Sequence, residues 1–194
     1  MHFASVLTLL TIFVMHSEGG AISFGKPTFF GSGCPEGTVS VRSYGQVLSL
    51  RFSKYSASTS RTDTYNRKSC SLALPVDIAP GYAVAIAQSE FSGYVRVPNN
   101  ERSEARFQAE YFFAGGKGNV VKNEFEQGTR KRFRVDHPVA ALAWSGCGQN
   151  STIFRANTAL SAKKRSADES DVHIELSRGQ MVRYEFITRA CDSF

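Results

Sequence analysis

The sequence contains few of the side chains and motifs on which catalysis depends. It has only four histidines, and just His137 and His173 lie beyond residue 21. The Gly-x-Ser-x-Gly turn that presents a nucleophilic serine is absent, and so is the His-Glu-x-x-His motif of zinc proteases. An Asp136-His137 pair could still join a serine, because such triads are defined by geometry rather than by sequence order. Because histidines are few and both catalytic motifs are absent, we nevertheless expect a non-catalytic protein.

The spacings that hold metal ions are also missing. No two of the four cysteines form a Cys-x-x-Cys pair, so a structural zinc site is not expected. The acids Asp168, Glu169 and Asp171 form a cluster with oxygen ligands for calcium, but the EF-hand spacing is absent. Paired carboxylates for glycoside hydrolysis would have to come from Glu101, Glu104, Glu110, Glu124, Glu126 or residues 168–171. We predict neither a metal nor a cofactor.

Long apolar runs are absent after residue 14, so no later segment is expected to span a bilayer as a helix. The run 3–14 is too short for a span and has the length of the apolar part of a secretory signal peptide. Small residues at Gly19 and Ala21 predict cleavage after Ala21. The expected organisation is a signal peptide over 1–21 and a single secreted domain over 22–194, which is long enough to bury one sizeable core.

The four cysteines all follow the predicted cleavage point, and an even number in a secreted chain predicts two disulfides. The sequence allows three pairings. We favour Cys34 with Cys147, because both lie in glycine-rich corners. Cys70 and Cys191 would then pair, since both lie at or beside strand-like runs.

Helical periodicity is missing as well, because no window keeps apolar residues at i, i+3, i+4 and i+7 beyond a few residues. Alternation with period two dominates and predicts strands. The predicted strands are 38–42, 46–52, 68–74, 82–87, 91–97, 105–113, 130–135, 152–160, 180–190 and an apolar strand over 141–144. Turns are expected at 88–90 and 115–118. About ten short strands in a disulfide-bonded secreted chain predict an all-β, antiparallel β-sandwich, with a closed barrel as the alternative.

The only tryptophan, Trp144, ends the predicted strand over 141–144. We expect its side chain to fill the core. Two segments fall outside the alternation. Residues 53–67 are rich in Ser, Thr and Tyr and are interpreted as a long loop or an edge strand. Residues 161–171 are interpreted as a mobile, solvated loop, in which Lys164-Arg165 offers an alternative reading as a dibasic processing site.

Positive charge exceeds negative charge, with a net charge of +6. Loss of residues 1–21 would remove one acid, Glu18, and no Lys or Arg, which raises the net charge to +7. Alternation places Arg130, Arg132 and Arg134 on one side of a strand. This stripe is suited to an anionic polymer, a headgroup or a sulfated glycan, although a solvated sheet face is the simpler reading. Exposed aromatics are not interleaved with the arginines, so no nucleic acid is expected.

Asn150-Ser151-Thr152 is an acceptor sequence for N-glycosylation. It follows a Gly-Gln corner, so we expect it to be accessible. The alternative is an unmodified turn.

Several short motifs occur in a characteristic order, ending with Cys191: Gly31-Ser32-Gly33-Cys34-Pro35, Arg67-Lys68-Ser69-Cys70-Ser71-Leu72, Pro80-Gly81, Phe91-Ser92-Gly93-Tyr94 and Trp144-Ser145-Gly146-Cys147-Gly148. In this order they resemble a secreted four-cysteine family of fungi, oomycetes and some bacteria, described as domain of unknown function 4360. Gly146 stands where that family usually has proline. The resemblance implies a secreted β-sandwich and brings no catalytic residues.

The expected function is recognition by a secreted, non-catalytic binding protein, effector-like or associated with a cell surface. Its partner would be an extracellular glycan, a host or surface protein, or an anionic polymer. The arginine stripe and the 53–67 segment are the expected recognition surfaces, because loops on rigid sandwiches often carry binding. A secreted hydrolase acting on wall polysaccharide or ester is the alternative.

Overall fold

The structure, a computed structural model, describes residues 20–139, 144–176, 179 and 181–191. Within these ranges the chain forms thirteen strands and no helix, so no described helix could cross a membrane. The strands are β1 Ile22–Phe24, β2 Thr28–Phe30, β3 Val39–Tyr44, β4 Val47–Phe52, β5 Ser56–Ser58, β6 Tyr65–Ile78, β7 Tyr82–Arg96, β8 Glu104–Phe113, β9 Asn119–Phe125, β10 Arg130–Pro138, β11 Ser151–Lys163, β12 His173–Glu175 and β13 Val182–Ala190. They form two antiparallel sheets, which confirms the predicted all-β sandwich.

The first sheet, sheet A, has the order β1-β6-β11-β8-β9, and β2 also pairs with β6. Its longest pairing joins β11 to β6 from Ser151 opposite Asp77 to Lys163 opposite Tyr65. Apolar residues alternate with polar ones along these strands, so Leu72, Leu74 and Phe154 are buried while the residues between them face outward. Sheet A therefore has one apolar and one polar face.

The second sheet, sheet B, has the order β3-β4-β13-β7-β12-β5, and β10 also pairs with β7. Strand β7 is its centre, because it pairs with β13 over Tyr82–Phe91, with β12 near its end, and with β10 along its other edge. A bulge between Glu185 and Phe186 shifts the register of β13 against β7. Alternation leaves the outward side of β7 polar from Gln88 onward, whereas residues 83–86 are all buried.

Aromatic side chains from both sheets fill the core. Phe107 and Phe154 of sheet A meet Phe91, Tyr184 and Phe186 of sheet B. The ring centroids of Phe91 and Phe107 lie 4.9 Å apart, as do those of Phe154 and Tyr184. Each buried ring contributes roughly 1.5–3 kcal/mol of apolar burial, and paired rings add about 0.5–1.5 kcal/mol. The core thus fixes the two outward faces as rigid, opposed surfaces.

The turn predicted at 88–90 is wrong, because β7 runs through it without a break. Ser89 points into the core and is buried, whereas Glu90 points outward to an ion pair with Arg134. Both polar side chains are accommodated within the strand, so their polarity does not end it. The turn expected at 115–118 is present and joins β8 to β9 in a hairpin.

Residues 53–67 are more ordered than a loop. Residues 56–58 form β5, an edge strand of sheet B, and Tyr65 begins β6. Tyr55 is fully buried, and its hydroxyl lies 2.9 Å from that of Thr158. Gly33 packs against this ring so closely that a Cβ there would lie 2.2 Å from it. The segment therefore contributes to the core, and its solvated part is the turn near Ser60 and Asp63.

Most of the expected tryptophan strand, residues 141–143, lies outside the described residues. Trp144 is half-buried and is not in a strand, so the expectation that it fills the core is wrong. Its ring stacks under the guanidinium of Arg189 at 4.4 Å. Ser145 is the buried residue here, because its backbone and hydroxyl bond to Val84 of β7.

The two disulfides join Cys34 to Cys70 and Cys147 to Cys191, so the favoured pairing is wrong. Cys34 follows β2, which pairs with β6 beside Cys70. Cys191 follows β13, and its backbone N–H bonds to Gly81 at the start of β7, near the segment that holds Cys147. The disulfide partners therefore follow from strand pairing within each sheet, and not from the similar glycine-rich surroundings of Cys34 and Cys147.

The expectation that residues 161–171 form a wholly solvated loop is also wrong. Strand β11 extends to Lys163, and the side chain of Lys164 is fully buried. Its ammonium donates to the carbonyl oxygens of Ala167 and Glu169 and to the Asp171 carboxylate, at 2.8–3.1 Å. A dibasic protease would have to withdraw Lys164 from all three bonds before it could bind this segment.

Candidate functional site

The arginine stripe lies on the outward side of sheet B, along β10. Arg130, Arg132 and Arg134 are exposed because they alternate with Phe133 and Val135, which face the core. Residues two apart on a strand are separated by about 7 Å. The stripe is therefore a straight row of cations along one edge of the sheet.

Further arginines extend this row across the sheet. They come from β3, β4, β7 and β13, and each alternates with inward residues of its strand. Together with the stripe, the outward arginines are Arg42, Arg51, Arg96, Arg130, Arg132, Arg134 and Arg183. The acids on the same side are Glu90, Asp136, Glu175 and Glu185. We call this surface the arginine face, and its arginines outnumber its acids.

The three arginines of the stripe differ in their partners. Arg134 pairs with Glu90 at 2.9 Å and with Asp136 at 3.0 Å. The hydrogen bond to Asp136, followed by the charge of Glu90, raises the pKa of Arg134 above its ordinary value. Among the residues that the structure describes, no acid forms an ion pair with Arg130 or Arg132. The available positive charge therefore lies at the start of β10.

The pairing of β10 with β7 places two positive charges opposite each other at the start of the stripe. Arg130 lies directly opposite Arg96 of β7, and Arg96 lies opposite His173 of β12. Like charges directly across a sheet destabilise it. A bound anion between Arg130 and Arg96 would relieve this repulsion, so the arrangement favours anion binding.

The shallow grooves on the arginine face include two that arginines border on both sides. One, of about 240 Å³, lies between Arg134 and Arg183 and includes Glu90. The other, of about 130 Å³, lies between Arg42 and Arg51 near the opposite edge. Arginine side chains thus border both depressions in which a chain could rest on this face.

Strand pairing brings a serine, a histidine and a carboxylate into one row. Ser58 of β5 lies opposite His173 of β12, with its hydroxyl 2.6 Å from Nδ1. The other ring nitrogen of His173 lies 3.5 Å from the Glu175 carboxylate. Hydrolases use such groups for proton transfer. However, β12 pairs on both sides, so its backbone N–H groups serve the ladders rather than an oxyanion.

The second candidate histidine, His137, has a structural role. Alternation along β10 directs Asp136 outward to Arg134 and His137 inward, so the Asp136-His137 pair considered as part of a triad does not form. Nδ1 of His137 shares a hydrogen bond with the hydroxyl of Tyr111, which is buried. Burial raises the pKa of Tyr111, so this phenol remains neutral at ordinary pH.

The acids considered for calcium or glycoside hydrolysis are mostly engaged in ion pairs. Glu169 and Glu101 bind Arg165, Asp171 binds Lys164, and Glu104 and Glu124 bind Arg106. In the described part of the chain, no group of three or more His, Cys, Asp or Glu side chains is placed to hold a metal ion. These acids therefore already have cationic partners within the protein.

Asn150 is exposed at the start of β11, and its carbonyl accepts a bond from the N–H of Ile78. The side chain is accessible, and its glycosylation stays a prediction. The arginines outside β10 were not identified from sequence. Arg42 and Arg51 alternate with apolar neighbours, but only the sheet order reveals that they share a face with the stripe.

Comparisons with known proteins give a family and two similarities. A protein named "Uncharacterized secreted protein" from Arthroderma benhamiae is 27% identical over 149 residues, which cover 72% of this chain and 60% of that protein's length. A solved structure of TmCBM61 in complex with beta-1,4-galactotriose shares 11% identity and a TM-score of 0.32, over 84% of this chain and 88% of the other. Residues 21–191 match the family described as "Domain of unknown function (DUF4360)". By that match, which spans the sandwich and all four cysteines, the chain belongs to this family.

Proposed function

We propose that this chain is an extracellular, non-catalytic binding protein that recognises an anionic polysaccharide through the arginine face. The observation that carries the proposal is the start of the stripe, where Arg130 and Arg132 have no acidic partner in the described chain and Arg130 opposes Arg96. Folding has left these guanidinium groups available to carboxylate or sulfate, which they bind in bidentate geometry.

A glycan fits this surface better than a nucleic acid or an enzyme substrate. One aromatic residue, Tyr94, lies among the arginines of β7 and β10. It is opposite Arg132 and is half-buried. Base stacking on exposed rings, which single-stranded nucleic acids require, is therefore not provided. We favour binding over hydrolysis because His173 lies on β12, whose backbone N–H groups are used by pairing with a strand on each side.

Three observations support a location outside the cell. The two disulfides are of the kind that persists in oxidising compartments. Residues 1–21 have the pattern of a signal peptide, and the Arthroderma relative is named as secreted. Protein recovered from the medium of a eukaryotic secretory host should begin at Ile22 and carry an N-glycan on Asn150, as intact mass before and after glycosidase treatment would reveal. Retention of residues 1–21 would contradict the secretion proposal.

The salt dependence of binding tests the proposed function. Affinity for dextran sulfate should fall at least tenfold between about 0.05 and 0.5 M NaCl, because salt screens exposed charges and competes with them. Affinity unchanged by salt, or absence of binding at low salt, would overturn the proposal. Equal or tighter binding to single-stranded DNA or to anionic lipid vesicles would reassign the face to that partner.

A further inference from the structure

The outward side of sheet A, opposite the arginine face, contains a second groove with a different chemistry. It has a volume of about 260 Å³, and all but one of the side chains that line it are polar, the exception being Ala159. We call it the amide groove, after the residues that define it: Arg67, Ser69, Ser71, Gln108, Glu110 and Asn157.

Strand register explains why the groove is there. Asn157 of β11 lies opposite Ser71 of β6 and opposite Glu110 of β8. Two residues further along β11, Ala159 lies opposite Ser69 of β6 and Gln108 of β8. Three adjacent strands about 4.8 Å apart make the groove roughly 10 Å wide. Its small side chains are Ser69 and Ser71 of β6 and Ala159 of β11, and β8 contributes the longer Gln108 and Glu110.

The charges of the amide groove cancel. Arg67 and Glu110 are its charged members, and they come from strands separated by β11. Elsewhere on sheet A, Arg106 pairs with Glu104 and Glu124, but in the described chain neither Arg67 nor Glu110 joins an ion pair. A groove with no net charge and with unengaged donors and acceptors complements an uncharged ligand that has many hydroxyl groups.

Exposed aromatic side chains lie next to the groove. Phe30 of β2, opposite Ser71, is 69% exposed, and Tyr65, two residues before Arg67 on β6, is 56% exposed. Covering an exposed aromatic ring with another apolar surface is favourable. A pyranose ring has an apolar C–H face and a rim of hydroxyls, so it can pack on such a ring while it bonds to amides and carboxylates.

We infer that the amide groove binds a neutral saccharide residue. Asn157, Gln108 and Glu110 would bond its hydroxyls, and Phe30 would pack on its apolar face. The inference does not depend on the proposed anionic ligand, because the two surfaces lie on opposite sides of the sandwich. Binding here should be insensitive to salt and to charge reversal on β10.

The test uses the full mature protein and neutral hexasaccharides of glucose, galactose, mannose, xylose and N-acetylglucosamine as probes, in 0.5 M NaCl. We expect at least one probe to shift the amide signals of residues 69, 71, 108 and 157 in ¹H–¹⁵N spectra. Asn157→Ala should weaken that binding at least tenfold. The matched control Asn99→Ala removes an exposed amide that does not line the groove, and it should leave binding within twofold.

A variant whose spectrum loses its native dispersion is replaced by Glu110→Gln, which keeps the shape of the side chain and should also weaken binding. Failure of all five probes to shift groove residues would overturn the inference. Equal losses in Asn157→Ala and Asn99→Ala would also overturn it. Neither result would bear on dextran sulfate binding at the arginine face.

Discussion

Lys164 is the residue that contradicts the interpretation of residues 161–171 as a solvated loop, which was based on their polarity. Its neighbours are charged, yet its ammonium is fully buried and donates to two carbonyls and to Asp171. A buried ammonium is tolerated only when its donors are satisfied, and this chain supplies the acceptors within seven residues. The loop after β11 is therefore organised around one side chain.

Protonation of Asp171 should weaken this arrangement. The hydrogen bond from Lys164, aided by its charge, holds the pKa of Asp171 below its ordinary value. Folding thus favours the ionised carboxylate, so its contribution is present above about pH 4 and is lost as pH falls through the lowered pKa. Asp171→Asn should lower stability at pH 7 by about 1 kcal/mol, because the carboxylate is half-exposed and screened.

Thermal melts of wild type and Asp171→Asn from pH 7 to pH 2 would measure this effect. The gap between the two melting temperatures should begin to narrow below about pH 4 and should close as pH falls through the lowered pKa of Asp171, where the native carboxyl becomes neutral like the amide. A gap that stays constant down to pH 2 would contradict the role assigned to this carboxylate. Asp63→Asn, in an exposed turn, is the matched control.

At the scale of strands, the sequence predicted orientation better than connectivity. Period two in residues 130–135 predicted that the stripe faces outward, because Phe133 and Val135 have to be buried. It could not predict that β7 continues through Ser89, since Tyr111 and His137 beside that serine come from other strands. The predicted disulfide pairing was wrong for the same reason. Which cysteines pair depends on which strands are neighbours in a sheet.

The disulfide between Cys147 and Cys191 anchors the segment after residue 144 to the end of β13. It closes a loop of 44 residues, for which the chain-entropy estimate is about 4 kcal/mol. Replacing both cysteines by serine should therefore lower the melting temperature by about 8–16 °C in a domain of this size. Scanning calorimetry would measure the shift.

The matched control for that variant is replacement of Cys34 and Cys70, which close a loop of 36 residues in sheet A. It should produce a shift of similar size, because loop-closure entropy depends only weakly on length. A melting temperature unaffected by loss of Cys147 and Cys191 would refute the bridged structure of sheet B.

The described part of the molecule has two opposed outward faces on one core. Sheet B exposes an excess of arginine, whereas the amide groove of sheet A has no net charge. The candidate sites were only partly predictable from sequence. The stripe was found because it lies within one strand, but Arg96 joins it from β7, and the amide groove combines residues from three strands.

Charge reversal on the arginine face tests the central claim most directly. Arg132→Glu places an acid in the middle of the stripe, and Arg155→Glu makes the same charge change on the exposed side of sheet A. Affinity for dextran sulfate should be measured for both variants by calorimetry at about 0.05 M NaCl. Arg132→Glu should weaken binding at least tenfold while Arg155→Glu stays within threefold, and equal affinity in the two variants would contradict recognition by the arginine face.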